Sequence, residues 1–369
     1  MRFIICSTML HPDVEQILPG ASPAAGKYIR NLEHVLTNLG HEIVEMSYVA
    51  IPGAKEAYTQ LELNDNDIIY KDKTIIWSVL RYQKKILKEV HKDDIVIFYN
   101  VVYYDLGLIS KLNKRGIKSL LILADHTGDM KENGNFIRGM IAKAISKDYK
   151  KFKYVIALSE RARRFLAQDA HIEIMEGGIN LDSFKEFAPP SDEGITRYMY
   201  AGTLTDVTGV DILLEAIAMN HDKGSVFYIS GKGPLEEKVK EAASRDTRIK
   251  YIGFLPDDEY YQLMQKMNIL VNPRNMDLEQ NQNNFPSKVL EYLAAGRMVI
   301  STKFAGWEKF TDCFEFCDSS AVLLADAILK AKEKSTKHKN ELFSHNRKRA
   351  EEFSWDNQAR KIIDLVEMK

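Results

Sequence analysis

Short apolar, β-branched runs alternate with longer amphipathic segments along almost the whole chain, and the alternation starts twice. In the N-terminal half, strand-like runs fall at 2–9, 41–49, 94–100, 117–124 and 154–158. Between them lie segments with helical spacing at 24–39, 74–90, 106–115, 137–151 and 160–168. Strands that are apolar throughout, separated by helices, predict a parallel sheet covered on both faces. The pattern breaks at 187–194 (FAPPSDEG), where two prolines, three charged or hydroxyl residues and a glycine read as a linker. It then resumes with strands at 197–200, 226–230, 249–252, 269–272 and 298–301 and helices at 210–218, 235–243, 257–267 and 287–295. Three further helical stretches follow, the last near 355–368. A chain of 369 residues exceeds one ordinary core, so the expectation is α/β with two doubly wound domains.

Charge excludes one broad class. The chain carries 51 basic and 52 acidic residues, a net charge of −1, which is not the basic footprint of a nucleic-acid coat. Its three cysteines, Cys6, Cys313 and Cys317, form neither a disulfide framework nor two paired thiol motifs, which suits a reducing cytoplasm. The apolar run at 3–10 is too short for a signal-peptide core with its cleavage site, and no stretch approaches the ~20 apolar residues of a membrane span.

Two phosphate-loop lookalikes fail on chemistry. Residues 20–27 (GASPAAGK) separate the glycines by one residue too many, and Tyr28 stands where Ser or Thr would hold magnesium. Gly231-Lys232-Gly233 follows a strand and opens a helix, but Glu236 replaces the third glycine of a dinucleotide fingerprint. The nine histidines show no zinc-binding spacing, so no dedicated zinc site is expected.

The stretch 272–296 (NPRNMDLEQNQNNFPSKVLEYLAAG) is the most informative. It leaves a strand, crosses a polar loop and enters a helix at Pro286, a residue favoured at a first helical position. The amides of Ser287, Lys288 and Val289 are then expected to point out of the helix end and, with Lys288, to attract an anion. Glu291, one turn further in, is placed to accept hydrogen bonds from a sugar diol. An anion beside a diol describes a nucleotide; the competing account of the same residues is a solvated helix start with a surface glutamate.

At 283–296 (NNFPSKVLEYLAAG) the sequence resembles the donor-site signature of family 4 glycosyltransferases, the retaining group 1 enzymes of the GT-B fold. Residues 200–211 (YAGTLTDVTGVD), 230–235 (SGKGPL) and 251–256 (YIGFLP) are similar to successive strand ends of that family's C-terminal domain. Residues 176–180 (EGGIN) resemble its hinge, and 353–355 (FSW) the start of the helix that crosses back to the N-terminal domain. The resemblance is specific over 176–306 and looser before it, where it rests on organisation and on 40–43 (GHEI).

The resemblance implies a GT-B fold of two Rossmann-like domains facing across a cleft: residues 1–183 with helix 355–369 on the acceptor side, and 184–354 binding the nucleotide-sugar. It implies that Glu291 accepts the ribose hydroxyls and that backbone around Asn284, Phe285, Ser287 and Lys288 meets diphosphate and sugar. Gly202 and Thr203 belong to the same donor site, with Gly233, Gly253 and Phe254 bordering the base. His126 faces the donor sugar from the N-terminal domain; otherwise it is an ordinary strand-end residue. Three positions depart from the family. Asn283 stands for the first of two glutamates, and Thr203 and Thr208 for the usual arginine and lysine, which leaves Lys288 and Arg274 to balance the diphosphate. Neither cofactor nor metal is expected.

A retaining hexosyltransferase using a nucleoside-diphosphate sugar, with UDP the favoured nucleotide, follows from the resemblance. Its acceptor is a saccharide or lipid-linked saccharide of surface polysaccharide, contacted through a long loop at 10–23. The alternatives are a catalytically silent GT-B binding subunit and a nucleotide-sugar epimerase. Between Arg138 and Arg164 nine basic residues face two acids, and Ile137, Met140, Ile141, Ala144 and Ile145 recur at helical spacing. That pattern fits either an anionic membrane surface bound through 137–164, hence a peripheral cytoplasmic protein, or a core-facing helix with a basic back.

Overall fold

The computed structural model describes residues 1–18, 23–124, 136–191, 194–278, 281–282 and 285–368. They form two units, Met1–Gly177 with Trp355–Lys369, and Gly178–Ser354.

In the first unit the apolar runs become β1 (Arg2–Ser7), β2 (Glu42–Val49), β3 (Ile68–Tyr70), β4 (Ile95–Tyr99), β5 (Lys118–Leu123), β6 (Tyr154–Ala157) and β7 (His171–Ile174). They pair in parallel in the order β3-β2-β1-β4-β5-β6-β7. The helices are α1 (Pro12–Ile17), α2 (Pro23–Asn38), α3 (Ala54–Gln60), α4 (Ile75–Glu89), α5 (Leu108–Lys114) and α6 (Phe136–Tyr149). Strand β1 shows why its sequence is unbroken by polar residues. Ile4 and Cys6 enter the core under α4, α5 and α6, whereas Phe3 and Ile5 enter the opposite core under α2. Each fully buried Ile, Leu or Phe contributes roughly 1.5–3 kcal/mol.

The second unit repeats the plan. Its strands are β8 (Thr196–Ala201), β9 (Ser225–Ser230), β10 (Ile249–Gly253), β11 (Ile269–Asn272), β12 (Met298–Thr302) and β13 (Phe314–Cys317). The order is β10-β9-β8-β11-β12-β13, again parallel. Its helices are α7 (Val210–Met219), α8 (Glu236–Arg245), α9 (Asp257–Gln265), α10 (Lys288–Ala294), α11 (Ala321–Lys337) and α12 (Lys339–Ala350). The last helix, α13 (Trp355–Glu367), belongs to the first unit: Trp355 meets Tyr28 edge-on at 4.9 Å, and Lys118 Nζ donates to Val366 O at 2.6 Å. The strand order reverses between β1 and β4 and again between β8 and β11. These reversals open the crevices in which doubly wound sheets bind ligands.

Three expectations are corrected. The proline stretch is no linker, since the second unit runs from Gly178 through it. Phe184 and Phe187 are buried in the second core, the Ile179 amide donates to Phe353 O at 2.8 Å, and buried Arg297 donates to Ala188 O at 2.8 Å. The stretch at 160–168 forms a 3-10 turn, Glu160–Phe165, in place of an α-helix. The loop at 10–23 contains α1, which Glu15 ties to Arg30 at 2.8 Å. Strands β3, β7 and β13 were not anticipated, because runs of three or four residues at or near a sheet edge carry little periodicity.

Candidate functional site

The carboxyl edge of the second sheet gathers the residues singled out in the sequence. Directly after β8, Gly202 donates its amide to Ser230 O at 3.0 Å. Tyr200 Oη donates to Thr203 O at 2.7 Å, and Thr208 Oγ1 donates to the same oxygen at 2.6 Å. Thr208 therefore holds the turn closed, while Thr203 is exposed. Two glycines let backbones touch here. A Cβ on Gly231 (φ +141°) would lie 1.8 Å from Gly202 O, and one on Gly209 (φ +72°) 1.8 Å from Pro273 O. Only glycine fits such approaches.

Lys288 reaches across this edge. Its ammonium donates to Ala201 O at 2.6 Å and lies 5.7 Å from the centre of the Tyr260 ring. The Tyr260 hydroxyl in turn donates to Glu291 Oε2 at 2.9 Å. Burial first, and the Glu291 carboxylate second, hold that phenol well above its ordinary pKa, so it remains a neutral donor. A cation, an aromatic face and an oriented carboxylate thus form one connected series beyond the end of β8. Lys288 and Glu291 lie one turn apart on α10, which explains why a local motif revealed both. Tyr260 comes from α9 and was missed; no spacing links it to α10.

Arg274 follows β11, where its guanidinium donates to Asn281 Oδ1 at 3.2 Å. Burial lowers its pKa from the ordinary value, with Tyr200 opposing the shift. Asn281, itself buried, donates to Val207 O at 2.6 Å and to Asn275 O at 2.8 Å, so it pins the Arg274 loop to the turn after β8. Asp211 Oδ1 is buried without a hydrogen-bond partner among the described residues. Burial pushes Tyr200 up to about 12, with Arg274 and Asp211 acting on it in opposite directions.

Further along the edge, Gly253 O accepts from the Gly231 amide at 2.8 Å and from Ser230 Oγ at 2.9 Å. Phe254 is 67% exposed, with Lys232 Nζ 5.0 Å from its ring centre, while Gly233 sits at φ +157° against Leu204 O. Phe285 commits its ring to the core, 5.3 Å from Phe304, which leaves only its backbone for a ligand. Ser287 is exposed at the start of α10. One expectation fails here: the Val289 amide does not point outward but donates to Pro286 O at 2.9 Å. His126, Asn283 and Asn284 lie outside the described residues. Away from this edge, Asp312, Cys313 and His345 bring three metal-type donor atoms within 4.8 Å of one another. Asp312 is occupied there by His345 at 2.9 Å and by Arg349 at 3.8 Å.

Residues 196–333 match the family described as glycosyl transferases group 1. Over its full length the chain is similar to HepE of Anabaena, solved in complex with UDP, with TM-score 0.71 at 13% identity, covering 99% of each chain. It is similar to sucrose-phosphate synthase of Thermosynechococcus elongatus at TM-score 0.69 and 16% identity, covering 99% of this chain and 98% of that one. A glycosyltransferase of Rickettsia africae matches at TM-score 0.69 and 16% identity, covering 99% and 97%. No curated protein sequence matches the chain. The fold is GT-B. The family match falls inside the second unit.

Proposed function

We propose that the protein is a retaining hexosyltransferase. In this scheme it moves a sugar from a nucleoside-diphosphate donor, with UDP as the nucleotide, to a saccharide or lipid-linked saccharide acceptor in surface polysaccharide synthesis. The observation that most supports this is the Lys288–Tyr260–Glu291 series at the β8 crevice, inside the segment that matches the family. Glu291, with one oxygen fixed by Tyr260, accepts from the ribose hydroxyls. Lys288 exchanges its contact with Ala201 O for the donor diphosphate, and Arg274, which follows β11, adds positive charge. Backbone at Gly202, Thr203, Asn283, Asn284, Phe285 and Ser287 holds phosphate and sugar, and Gly233, Gly253 and Phe254 border the base. His126 contacts the donor sugar.

In the reaction the bond from the anomeric carbon to the diphosphate breaks, and the acceptor oxygen bonds to that carbon on the same face. The acceptor proton passes to the departing phosphate oxygen. The charge that develops on that oxygen is met by Lys288 and Arg274, fixed charges in a partly desolvated site, so no metal is needed. Three free, buried thiols suit action in the cytoplasm.

The test is UDP release from a panel of UDP-sugars without acceptor, for wild type, Lys288→Ala and Glu291→Ala. Slow hydrolysis of one donor, lost in both variants and unchanged by a chelator, is the expected result. A product sugar of inverted configuration at a ring carbon, formed without acceptor, would replace the proposal with epimerase chemistry. No turnover and no donor binding would leave a silent binding subunit. That outcome has its own structural motive, since Thr203 and Thr208 bring no charge to the β8 turn.

A further inference from the structure

At the amino edge of the second sheet the chain brings three donor side chains together. Asp312 and Cys313 stand immediately before β13, and His345 comes from α12. Because the sheet is parallel, this edge is the end opposite the crevice at β8. Cys313 Sγ donates to Asp312 Oδ1 at 3.5 Å, and His345 Nε2 lies 2.9 Å from Asp312 Oδ2. Each of these contacts is carried by a proton, which a metal ion can replace. A zinc ion with bonds of about 2.0–2.3 Å holds its tetrahedral donors roughly 3.3–3.8 Å apart. Three donor atoms within 4.8 Å of one another are therefore close to the spacing an ion requires. Carboxylate, thiolate and imidazole also make a set that zinc accepts, whereas magnesium prefers oxygen alone.

The frame around the three residues is fixed from both sides. The Cys313 amide donates to Phe310 O at 3.0 Å, and Arg349 Nη2 of α12 donates to Lys309 O at 2.9 Å. Buried Asn346, next to His345, donates to Arg297 O at 2.8 Å and so anchors the helix. The side chains of Asp312 and His345 are 49% and 45% exposed, which leaves an entry path and an open coordination position. Arg349 also faces the cluster, with Nε 3.8 Å from Asp312 Oδ2. Its charge is answered by Glu352, so it does not cancel the aspartate. That Nε is buried without a hydrogen-bond partner among the described residues, a donor that ionised ligands beside it would satisfy. Cys317 is no fourth ligand, because its thiol lies in the opposite core, 3.9 Å from Ser301 O.

We propose that Asp312, Cys313 and His345 bind a zinc-type divalent ion that staples the segment before β13 to α12, with water in the fourth position. On binding, the bond from Cys313 sulfur to its proton gives way to a sulfur–zinc bond, and the proton leaves to solvent. His345 ligates through Nε2 and carries its proton on Nδ1. The ion adds to a fold that already stands on apolar packing, since Cys313 belongs to the core of Phe310 and Phe314. It takes no part in sugar transfer at the other edge. Sequence spacing hid the set, because α12 brings His345 to the two adjacent residues only in the folded chain.

The test uses the full chain, stripped of metal with a chelator, dialysed and titrated with cobalt(II) and zinc. The expected result is a single cobalt per chain, with the visible bands of a tetrahedral site and a near-ultraviolet sulfur-to-cobalt charge-transfer band. Zinc should displace it and magnesium should not. Cys313→Ala should abolish the charge-transfer band, and His345→Gln, an exposed change, should weaken affinity by about tenfold or more. Cys317→Ala should leave both as in wild type. Zinc should raise the thermal midpoint of the wild-type protein and of neither ligand variant. These readouts are spectroscopic and thermal, so they stand apart from failure of the donor chemistry. Absence of the charge-transfer band, a band that survives Cys313→Ala, equal affinity in His345→Gln, or a midpoint that zinc does not move would overturn the proposal.

Discussion

The two sheets share a strand order and a reversal point, yet their carboxyl edges are built from different chemistry. In the second unit the edge is backbone laid on backbone at Gly231 and Gly209, with a cation and a carboxylate seated above it. In the first unit the edge carries exposed apolar turns, and the unusual polar groups lie underneath. Asp105 is fully buried, accepting from the Val102 amide at 3.0 Å and from the Tyr82 hydroxyl at 3.3 Å. Topology sets where ligands meet each unit. The residues at the strand ends decide what kind of ligand that is.

The largest effect should fall on one edge alone. Lys288→Ala is expected to lower kcat for donor hydrolysis by about 10²–10³-fold, the scale of removing one preorganised charge-stabilising donor. The fold should survive, because Lys288 is only half-buried. Trp77→Ser, on the other unit, should leave kcat unchanged. Equal losses in both variants would erase the distinction between the edges.

Acid and base should also separate the units. Burial raises the Asp105 carboxyl to about 7, with Asp148 adding to the shift. Its folded pKa exceeds the unfolded one, so the native state binds the extra proton and stability falls as pH rises from about 4 to about 7. The expected span is on the order of 4 kcal/mol, and Asp105→Asn should flatten that part of a urea-unfolding series. Glu33, raised to about 8 by burial and then by Glu45, leaves a residual slope of the same sign. In the second unit the sign reverses. A hydrogen bond from Lys332 depresses Asp222 to about 2, so its contribution is present above the ordinary aspartate range and is lost as pH falls toward 2.

A smaller contrast concerns glycines with positive φ. Gly231→Ala meets Gly202 O, a backbone atom with no freedom to yield, and should cost about 1–3 kcal/mol together with donor affinity. Gly40→Ala, at φ +83° with open space around it, should cost only about 1 kcal/mol of backbone strain and leave donor binding alone. Urea midpoints and UDP titration on both variants separate the two effects.

Long, uniformly apolar strands such as β1, β4 and β5 were legible because two cores demand side chains on both faces. Short edge strands were not, since three or four residues hold too little pattern. The prolines of 187–194 misled for a physical reason: they break regular structure as a linker would, but Phe187 anchors the stretch in a core, which only tertiary packing reveals. At the site, Lys288 and Glu291 were readable because one helical turn joins them. Tyr260 was not, since α9 is brought in from elsewhere, and the contact of Arg274 with Asn281 was not, since a polar loop carries no periodicity from which its internal contacts can be read. The apolar spacing of 137–145 was visible, but the split between core and solvent along one helix was not.

Tyr260 gives the finest test of how the second edge works. Tyr260→Phe keeps the ring beside Lys288 and removes only the hydroxyl that fixes Glu291. A hydrogen bond to a charged group is worth about 1.5–3 kcal/mol, but water can replace part of it at a half-buried carboxylate. The expected result is therefore a KM for the donor raised about 3–10-fold with kcat within about twofold, since orientation of a ribose contact acts on ground and transition states alike. Glu291→Gln should raise KM further, and the double variant should add little, because Tyr260 acts through Glu291. A fall in kcat at constant KM would place Tyr260 in the chemical step, through its effect on Lys288, and move the centre of the second edge from the carboxylate to the cation.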